Sequence, residues 1–184
     1  MDLNTAIQKR HSVRKFLSKK PDWRDIIECI DAARYAPMAG NNYTLRFILV
    51  SDKNKIQKIA DATQQPFVGQ MQYIVIVCSV LGRVLNSYED KGEIFSRQQA
   101  GAAIQNFLLK IEEKGLATCW VGYFVEEEIK RELKIPENVN IEAIFPIGYE
   151  LGKTIGRKKT DLDNILYFDE FGNKKMKKPK KIEV

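Results

Sequence analysis

Apolar residues recur along the chain at two spacings, one helical and one alternating, and the switches between them outline the expected elements. Leu3 to Lys9 reads as a short helix, and Pro21-Asp22 opens a second in which Ile26, Ile27, Ile30 and Ala33 recur at helical spacing. Pro37 marks its end. Arg46 to Ser51 is apolar and β-branched enough for a buried strand, and the helix expected from about Lys53 to Ala62 turns Ile56, Ile59 and Ala60 inward. After a loop containing Pro66 and Gly69, Tyr73 to Ser79 predicts a second strand. The longest helix is expected from about Glu93 to Lys114, with Ile94, Ala100, Ala103, Ile104, Phe107, Leu108 and Ile111 in a wide apolar stripe and Gly115 as its C′ cap. A strand near Ala117 to Val121, a helix from Glu126 to Leu133 and a strand from Ile141 to Ile147 complete the pattern, which weakens beyond Gly148 except at Ile165 to Phe168. With no repeat and no internal linker, the order of elements predicts an α+β domain with a sheet of four strands and helices on its faces.

A chain of 184 residues with 44% hydrophobic content supports one globular domain, here residues 1–173, followed by a basic tail at 174–184. The net charge of +6 resembles a nucleic-acid signature until it is located: the six lysines at 174, 175, 177, 178, 180 and 181 account for all of it. A solvated end is therefore expected, and no specific nucleic-acid partner. The longest apolar runs are strand-sized, and Met1-Asp2-Leu3-Asn4 lacks the basic and apolar regions of a signal peptide, so a cytoplasmic protein without a membrane partner is expected. Cys29, Cys78 and Cys119 are widely spaced within apolar segments, which fits reduced structural thiols and no metal site.

Candidate chemistry concentrates at Lys9-Arg10-His11-Ser12-Val13-Arg14-Lys15-Phe16. If this stretch is extended, Arg10, Ser12 and Arg14 emerge on one side and offer two guanidinium forks and a hydroxyl to a small dianion. The alternative is a solvated basic turn. Two further segments expose backbone. Gly101-Ala102-Ala103 allows close approach by a helix or a flat ligand, with helix packing as its simpler role. The loop Ala36-Pro37-Met38-Ala39-Gly40-Asn41-Asn42 presents amide groups to a heterocycle edge or is an ordinary helix-ending turn.

Five segments in this order resemble the FMN-dependent nitroreductase family: Lys9 to Phe16, Ala36 to Asn41, Gly101-Ala102-Ala103-Ile104-Gln105-Asn106, Gly115-Leu116-Ala117-Thr118-Cys119-Trp120-Val121-Gly122, and Phe145-Pro146-Ile147-Gly148-Tyr149. The resemblance implies a homodimeric α+β sandwich with a mainly antiparallel central sheet flanked by helices, and FMN sites at the dimer interface. It casts Arg10, His11, Ser12 and Arg14 around the FMN phosphate and ribityl chain, His11 mainly through its backbone or ring edge. Pro37, Met38, Ala39 and Asn41 would border the isoalloxazine from the other subunit. The turn Trp120, Val121, Gly122 resembles one whose backbone N–H groups point at flavin N5 and O4, and Arg157, Lys158 and Lys159 resemble a basic group that returns to the phosphate.

The implied activity is that of an oxidoreductase in which NADH or NADPH reduces FMN by hydride transfer to N5 and a nitroaromatic, quinone or similar small acceptor reoxidises it. No protein acid, base or triad is then required, so no catalytic residue is assigned. Two departures bear on the acceptor side: many relatives carry Gln-Pro-Trp where this chain has Tyr43-Thr44-Leu45, and Met38 stands where Ser is frequent. Gln64, Gln65 and Gln70 are candidates for the flavin's pyrimidine edge. Two other functions compete. One is a flavin-binding sensor or carrier with little turnover, its flavin face plugged by Tyr43, Tyr123 or Phe124. The other is a nucleic-acid-binding domain acting through the lysine tail, an activity that truncation after Asn173 would remove.

Overall fold

The computed structural model describes residues 1–152 and 158–177. Chain contacts divide it into two units, residues 1–153 and 154–184.

In the first unit, helices begin where an aspartate satisfies the first free amides. Asp2 accepts from Thr5 N–H ahead of α1 (Leu3–Lys9), Asp22 from Arg24 N–H ahead of α2 (Trp23–Ala33), and Asp52 from Lys55 N–H ahead of α3 (Lys53–Thr63). Strand β1 (Leu45–Val50) lies between α2 and α3. The expected loop at Pro66 and Gly69 is instead a single helical turn, α4 (Pro66–Gly69), with proline at a first-turn position that needs no amide donor. Strand β2 (Tyr73–Val80) follows, then α5 (Gly82–Tyr88), which has no capping side chain and no clear apolar period in the sequence. The long helix α6 (Lys91–Glu113) ends in a Schellman motif at Gly115: φ there is +66°, Gly115 N–H donates to Glu112 O and Leu116 N–H to Ile111 O. β3 (Ala117–Thr118), α7 (Glu126–Leu133) and β4 (Val139–Gly148) complete this unit.

The strands form one four-stranded sheet in the order β1-β2-β4-β3, with every pairing antiparallel. Helices cover both faces. Tyr73, Val75 and Val77 of β2 pack with Ile26, Ile104 and Phe107 of α2 and α6, while Ile74, Ile76 and Cys78 pack with Ile56, Val68 and Ile129 of α3, α4 and α7. Burial on both sides explains why β2 reads as an unbroken apolar run rather than an alternation. A β-bulge at Glu142 leaves that residue out of the register with β2, though its carboxylate accepts a hydrogen bond from the Ser79 hydroxyl of that strand. It shifts the alternation in β4, so that Ile141 and Ile144 face one side while Ala143 and Phe145 face the other.

Two details depart from the pattern read along the chain. Ile94 is 56% exposed, because the buried face of α6 runs through Gly92, Ser96, Gln99 and Ala103. At ~100° per residue, Ile94 lies about 200° from Ser96. Helix α5 forms through its packing on the start of α6. A Cβ on Gly92 would come within 2.7 Å of the Val84 carbonyl and 2.9 Å of the Leu85 backbone. Gly92→Ala is expected to push the two helices apart and destabilise the protein by about 1–3 kcal/mol. A thermal melt checks this: a midpoint within about 1 °C of wild type would show that α5 yields freely.

The three cysteines are buried, and burial pushes the Cys29 thiol up to about 12 and the Cys78 thiol to about 11, as expected for structural thiols. In the second unit, α8 (Leu162–Ile165) precedes a turn in which Phe168 and Asn173 exchange hydrogen bonds of 2.8 and 2.9 Å. The Tyr167 and Phe171 rings pack 4.7 Å apart, and Lys174 Nζ sits 3.9 Å above the Tyr167 ring. The first lysine of the basic run is thus held by this turn.

Candidate functional site

The run from Lys9 to Phe16 is extended because neighbouring segments pair with its backbone. Val13 N–H donates to Thr118 O (2.9 Å), Leu17 N–H to Tyr149 O (2.8 Å), and Leu151 N–H to Lys15 O (2.9 Å), with Phe16 bridged to Glu150. Val13 is buried between the exposed Ser12 and Arg14, as the alternation predicts, whereas Lys15 is exposed and Phe16 is partly buried, against it. Burial raises the Cys119 thiol, and the charge of Arg14 and the nearby Ser12 oppose that rise. Arg10 is half-buried and lines a separate cavity of about 120 Å³ with His11, Glu112, Thr118 and Glu150. Among the described residues, no carboxylate lies within ion-pair distance of Arg10 or Arg14.

His11 turns away from this outward face. Its Nδ1 is 2.7 Å from Lys9 O and its Nε2 is 3.0 Å from Glu150 Oε1. A carbonyl and a carboxylate both demand a donor, and only the imidazolium donates from both nitrogens. The pKa is accordingly raised above 6.5, first by the Lys9 carbonyl and then by Glu150. The sequence gives no hint of Glu150 as the partner, since 139 positions separate the two residues.

On the opposite edge of β3, Trp120 is 42% exposed and its ring meets Phe145 edge-on at 5.6 Å. Val121 exchanges two 3.0 Å bonds with Ile144, so its N–H is occupied by the sheet. The N–H groups of Trp120 and Gly122 have no acceptor among the described residues. This narrows the expected donor turn from three amides to those two.

The loop after α2 is a turn of 3-10 helix, Ala39–Asn41, with φ of +55° at Gly40 and +59° at Asn41. Gly40 has a second constraint besides backbone conformation: a Cβ there would lie 2.6 Å from the Tyr88 hydroxyl of α5. Pro37, Met38 and Ala39 face Phe95, Gln98 and Ala102 across a groove of about 220 Å³ that shares no residue with the cavity beside Arg10. What holds the loop to α6 is a buried polar cluster that the sequence reading missed. Gln99 Oε1 accepts from Thr44 N–H (2.8 Å) and from the Thr44 hydroxyl (2.6 Å), Ser96 Oγ lies 2.9 Å from that hydroxyl, and Gln99 Nε2 donates to Asn42 O (3.3 Å). The available signal was two polar residues, Ser96 and Gln99, on the stripe that otherwise carries Ala100, Ala103 and Phe107.

The altered segment Tyr43-Thr44-Leu45 therefore points inward. Thr44 and Leu45 are buried, and Tyr43 packs against the α2/α6 cluster. Of the suggested plugs, Phe124 also packs on the core, whereas Tyr123 is 76% exposed. Gln64 serves as the left-handed C-cap of α3 (φ +53°), and Gln65 caps the start of α4. Lys158 and Lys159 are exposed, with Lys158 3.7 Å from Asp161, and Arg157 lies outside the described residues. Among the described residues no group of three or more His, Cys, Asp or Glu could hold a metal, and no helix is long and apolar enough to cross a membrane.

Two buried hydroxyls have no partner among the described residues, Tyr43 Oη and Thr118 Oγ1. The latter lines the cavity beside Arg10. Arg10 and Arg14, which make no ion pair among the described residues, the exposed Ser12 and, on the neighbouring β3, the orphaned Thr118 hydroxyl are donors of the kind that suits an oxyanion.

Comparison with known proteins bears on the family and the fold. The nitroreductase family pattern matches residues 7–68 and 61–149. A nitroreductase family protein from Clostridium novyi NT is 26% identical and superposes with a TM-score of 0.74 over 94% of this chain and 96% of its own. An iodotyrosine deiodinase from Thermotoga neapolitana is 25% identical over 170 residues, 77% of this chain and 85% of the relative. The NADPH:FMN oxidoreductase of Vibrio harveyi, solved with NAD+, shares the fold at a TM-score of 0.82 and 17% identity, over 92% of this chain and 77% of its own. The pairing of an extended basic run with an antiparallel sandwich, and the match across both, identify the chain as a member of the nitroreductase family.

Proposed function

We propose that the protein is an FMN-dependent oxidoreductase, reduced by NADH or NADPH and reoxidised by a nitroaromatic, quinone or similar small acceptor. The observation that carries this reading is the Arg10-Ser12-Arg14 run, which is fixed by strand-like pairing and whose arginines make no ion pair among the described residues. Those three side chains would hold the FMN phosphate and ribityl end, with the orphaned Thr118 hydroxyl close by. The amides of Trp120 and Gly122 would donate to the ring edge, and Lys158 and Lys159, with Arg157, would return to the phosphate. When bound, FMN supplies hydride chemistry at N5, and the protein supplies position and charge. The named relatives, a deiodinase and an NADPH:FMN oxidoreductase, support the redox class.

A second copy completes the site in this reading. Pro37, Met38 and Ala39 line a groove distinct from the cavity beside Arg10, which suits a loop that, with Asn41 just beyond, borders the ring bound by the other subunit. A surface for that copy exists where Leu3, Ala6, Ile27, Tyr35, Asn106 and Leu109 surround an open groove of about 800 Å³. Leu3, Ile7, Ile27 and Tyr35 are each 45% or more exposed, a large apolar face for a monomer. Light scattering is expected to give a dimer, and a monomer that retains FMN would defeat the interface.

The visible spectrum of the purified protein tests cofactor binding, and anaerobic titration with each nucleotide tests turnover. A flavin spectrum that bleaches on adding NADH or NADPH is expected. A yellow protein that stays oxidised under excess nucleotide would instead make it a flavin carrier, and a colourless one that takes up no FMN would end the reading.

A further inference from the structure

We infer that His11 is the positioning residue that locks the phosphate-gripping run in place, and that its loss of a proton releases the run and weakens FMN binding. This inference rests on the FMN reading above. The imidazole spans the base of the run: Nδ1 holds the Lys9 carbonyl at the end of α1, and Nε2 holds Glu150 just past β4. Arg10 and Ser12 flank it in sequence, so both grips hang from the residue that makes the two bonds. The charged groups facing the ring come from every element around it. Among the described residues they are Glu150 beyond β4, Glu112 on α6 and Arg10 at the end of α1, while β3 contributes the neutral Ala117 and Thr118.

In the imidazolium form both bonds are donated. In the neutral form one nitrogen becomes an acceptor and must face either a carbonyl or a carboxylate, neither of which can donate. One tie therefore breaks. The break loosens the Arg10 end of the run from either the helix end or Glu150, while the backbone bonds at Val13, Lys15 and Leu17 keep the rest of the segment in place. The cavity of about 120 Å³ beside the ring gives water a path to it, so the proton exchanges with solvent without unfolding.

The sign follows from linkage. A group whose pKa is raised in the assembled state contributes fully below its ordinary value, here 6.5, and the contribution is lost as pH rises through the raised value. The negative charge of FMN held by the neighbouring Arg10 and Ser12 raises the value further, so binding and protonation reinforce each other. FMN's own phosphate gains its second charge near pH ~6, which works in the opposite direction and is common to wild type and variant.

The test uses the full chain stripped of flavin, with FMN affinity read from quenching of flavin fluorescence between about pH 6.5 and 9.5. His11→Gln offers a donor that does not titrate. The ratio of wild-type to His11→Gln dissociation constants is expected to rise about tenfold across this range for each unit by which FMN raises the His11 pKa. His11 is the only histidine, so its labelled ring gives one NMR signal. That signal is expected to titrate above 6.5, to move higher with FMN, and to fall in Glu150→Gln. A flat ratio, or a histidine that titrates at or below 6.5 and ignores Glu150→Gln, would overturn the lock while leaving FMN binding intact. Failure of wild type to take up FMN at any pH would overturn the functional reading and this role with it.

Discussion

Arg14→Ala is expected to weaken FMN binding by about 10- to 100-fold while changing riboflavin binding less than about threefold. A hydrogen bond to a charged group contributes about 1.5–3 kcal/mol, and a guanidinium on a phosphate belongs to this class. Riboflavin has the same ring and ribityl chain without the phosphate, so the difference between the two ligands isolates the contact. The fold has little stake in this side chain. Arg14 is exposed and has no ion pair among the described residues, while the backbone of the run is held by Val13, Lys15 and Leu17. Combining Arg14→Ala with Arg10→Ala is expected to leave the purified protein colourless, with an unchanged circular dichroism spectrum. Fluorescence titration with each flavin decides the matter. Equal losses for FMN and riboflavin would show that the run does not grip a phosphate.

Gln99→Leu is expected to cost about 3–5 kcal/mol of stability, the largest effect of any single substitution at the loop. Gln99 is buried within α6 and serves three groups of the neighbouring chain: the Thr44 amide, the Thr44 hydroxyl and the Asn42 carbonyl. Leucine fills similar space but leaves a buried amide without its acceptor, and such orphaning costs about 1–3 kcal/mol per group. The midpoint of thermal unfolding is expected to fall by roughly 10 °C. Thr44→Val removes the hydroxyl that Gln99 and Ser96 share. The double variant should therefore lose less than the sum, with a coupling of about 1–2 kcal/mol. Additive losses would show that the three residues do not act as a cluster. The same cluster explains how the chain accommodates a buried Thr44 just before β1. Threonine brings an amide and a hydroxyl into a buried position, and Gln99 and Ser96 receive both.

Elements with strong periodicity and a marked cap were legible from residues alone. Helices α1 and α7 fall where the pattern placed them, and Asp22 and Gly115 mark the ends that capping chemistry predicts. The outward face of Ser12 and Arg14 follows from alternation about Val13. Helix α5 was illegible because nothing in Gly82–Tyr88 favours a helix strongly, and it exists through contact with α6 at Gly92. Ile94 misled because apolar character was taken as burial, whereas the face of α6 that meets the sheet is set by its small and polar residues.

Local chemistry, then, was written in the order of residues: which stretches coil, which extend, where cations and a hydroxyl alternate, and which family the ordered motifs resemble. What only the assembled molecule decided are the pairings between distant positions. His11 found Glu150, Thr44 found Gln99, and the Val121 amide was taken by Ile144 and so removed from the expected donors. The reason is physical. Helical and strand periods depend on neighbours within a few residues, but the partner of a buried donor depends on which surfaces the sheet and helices bring together, and no local pattern encodes that choice.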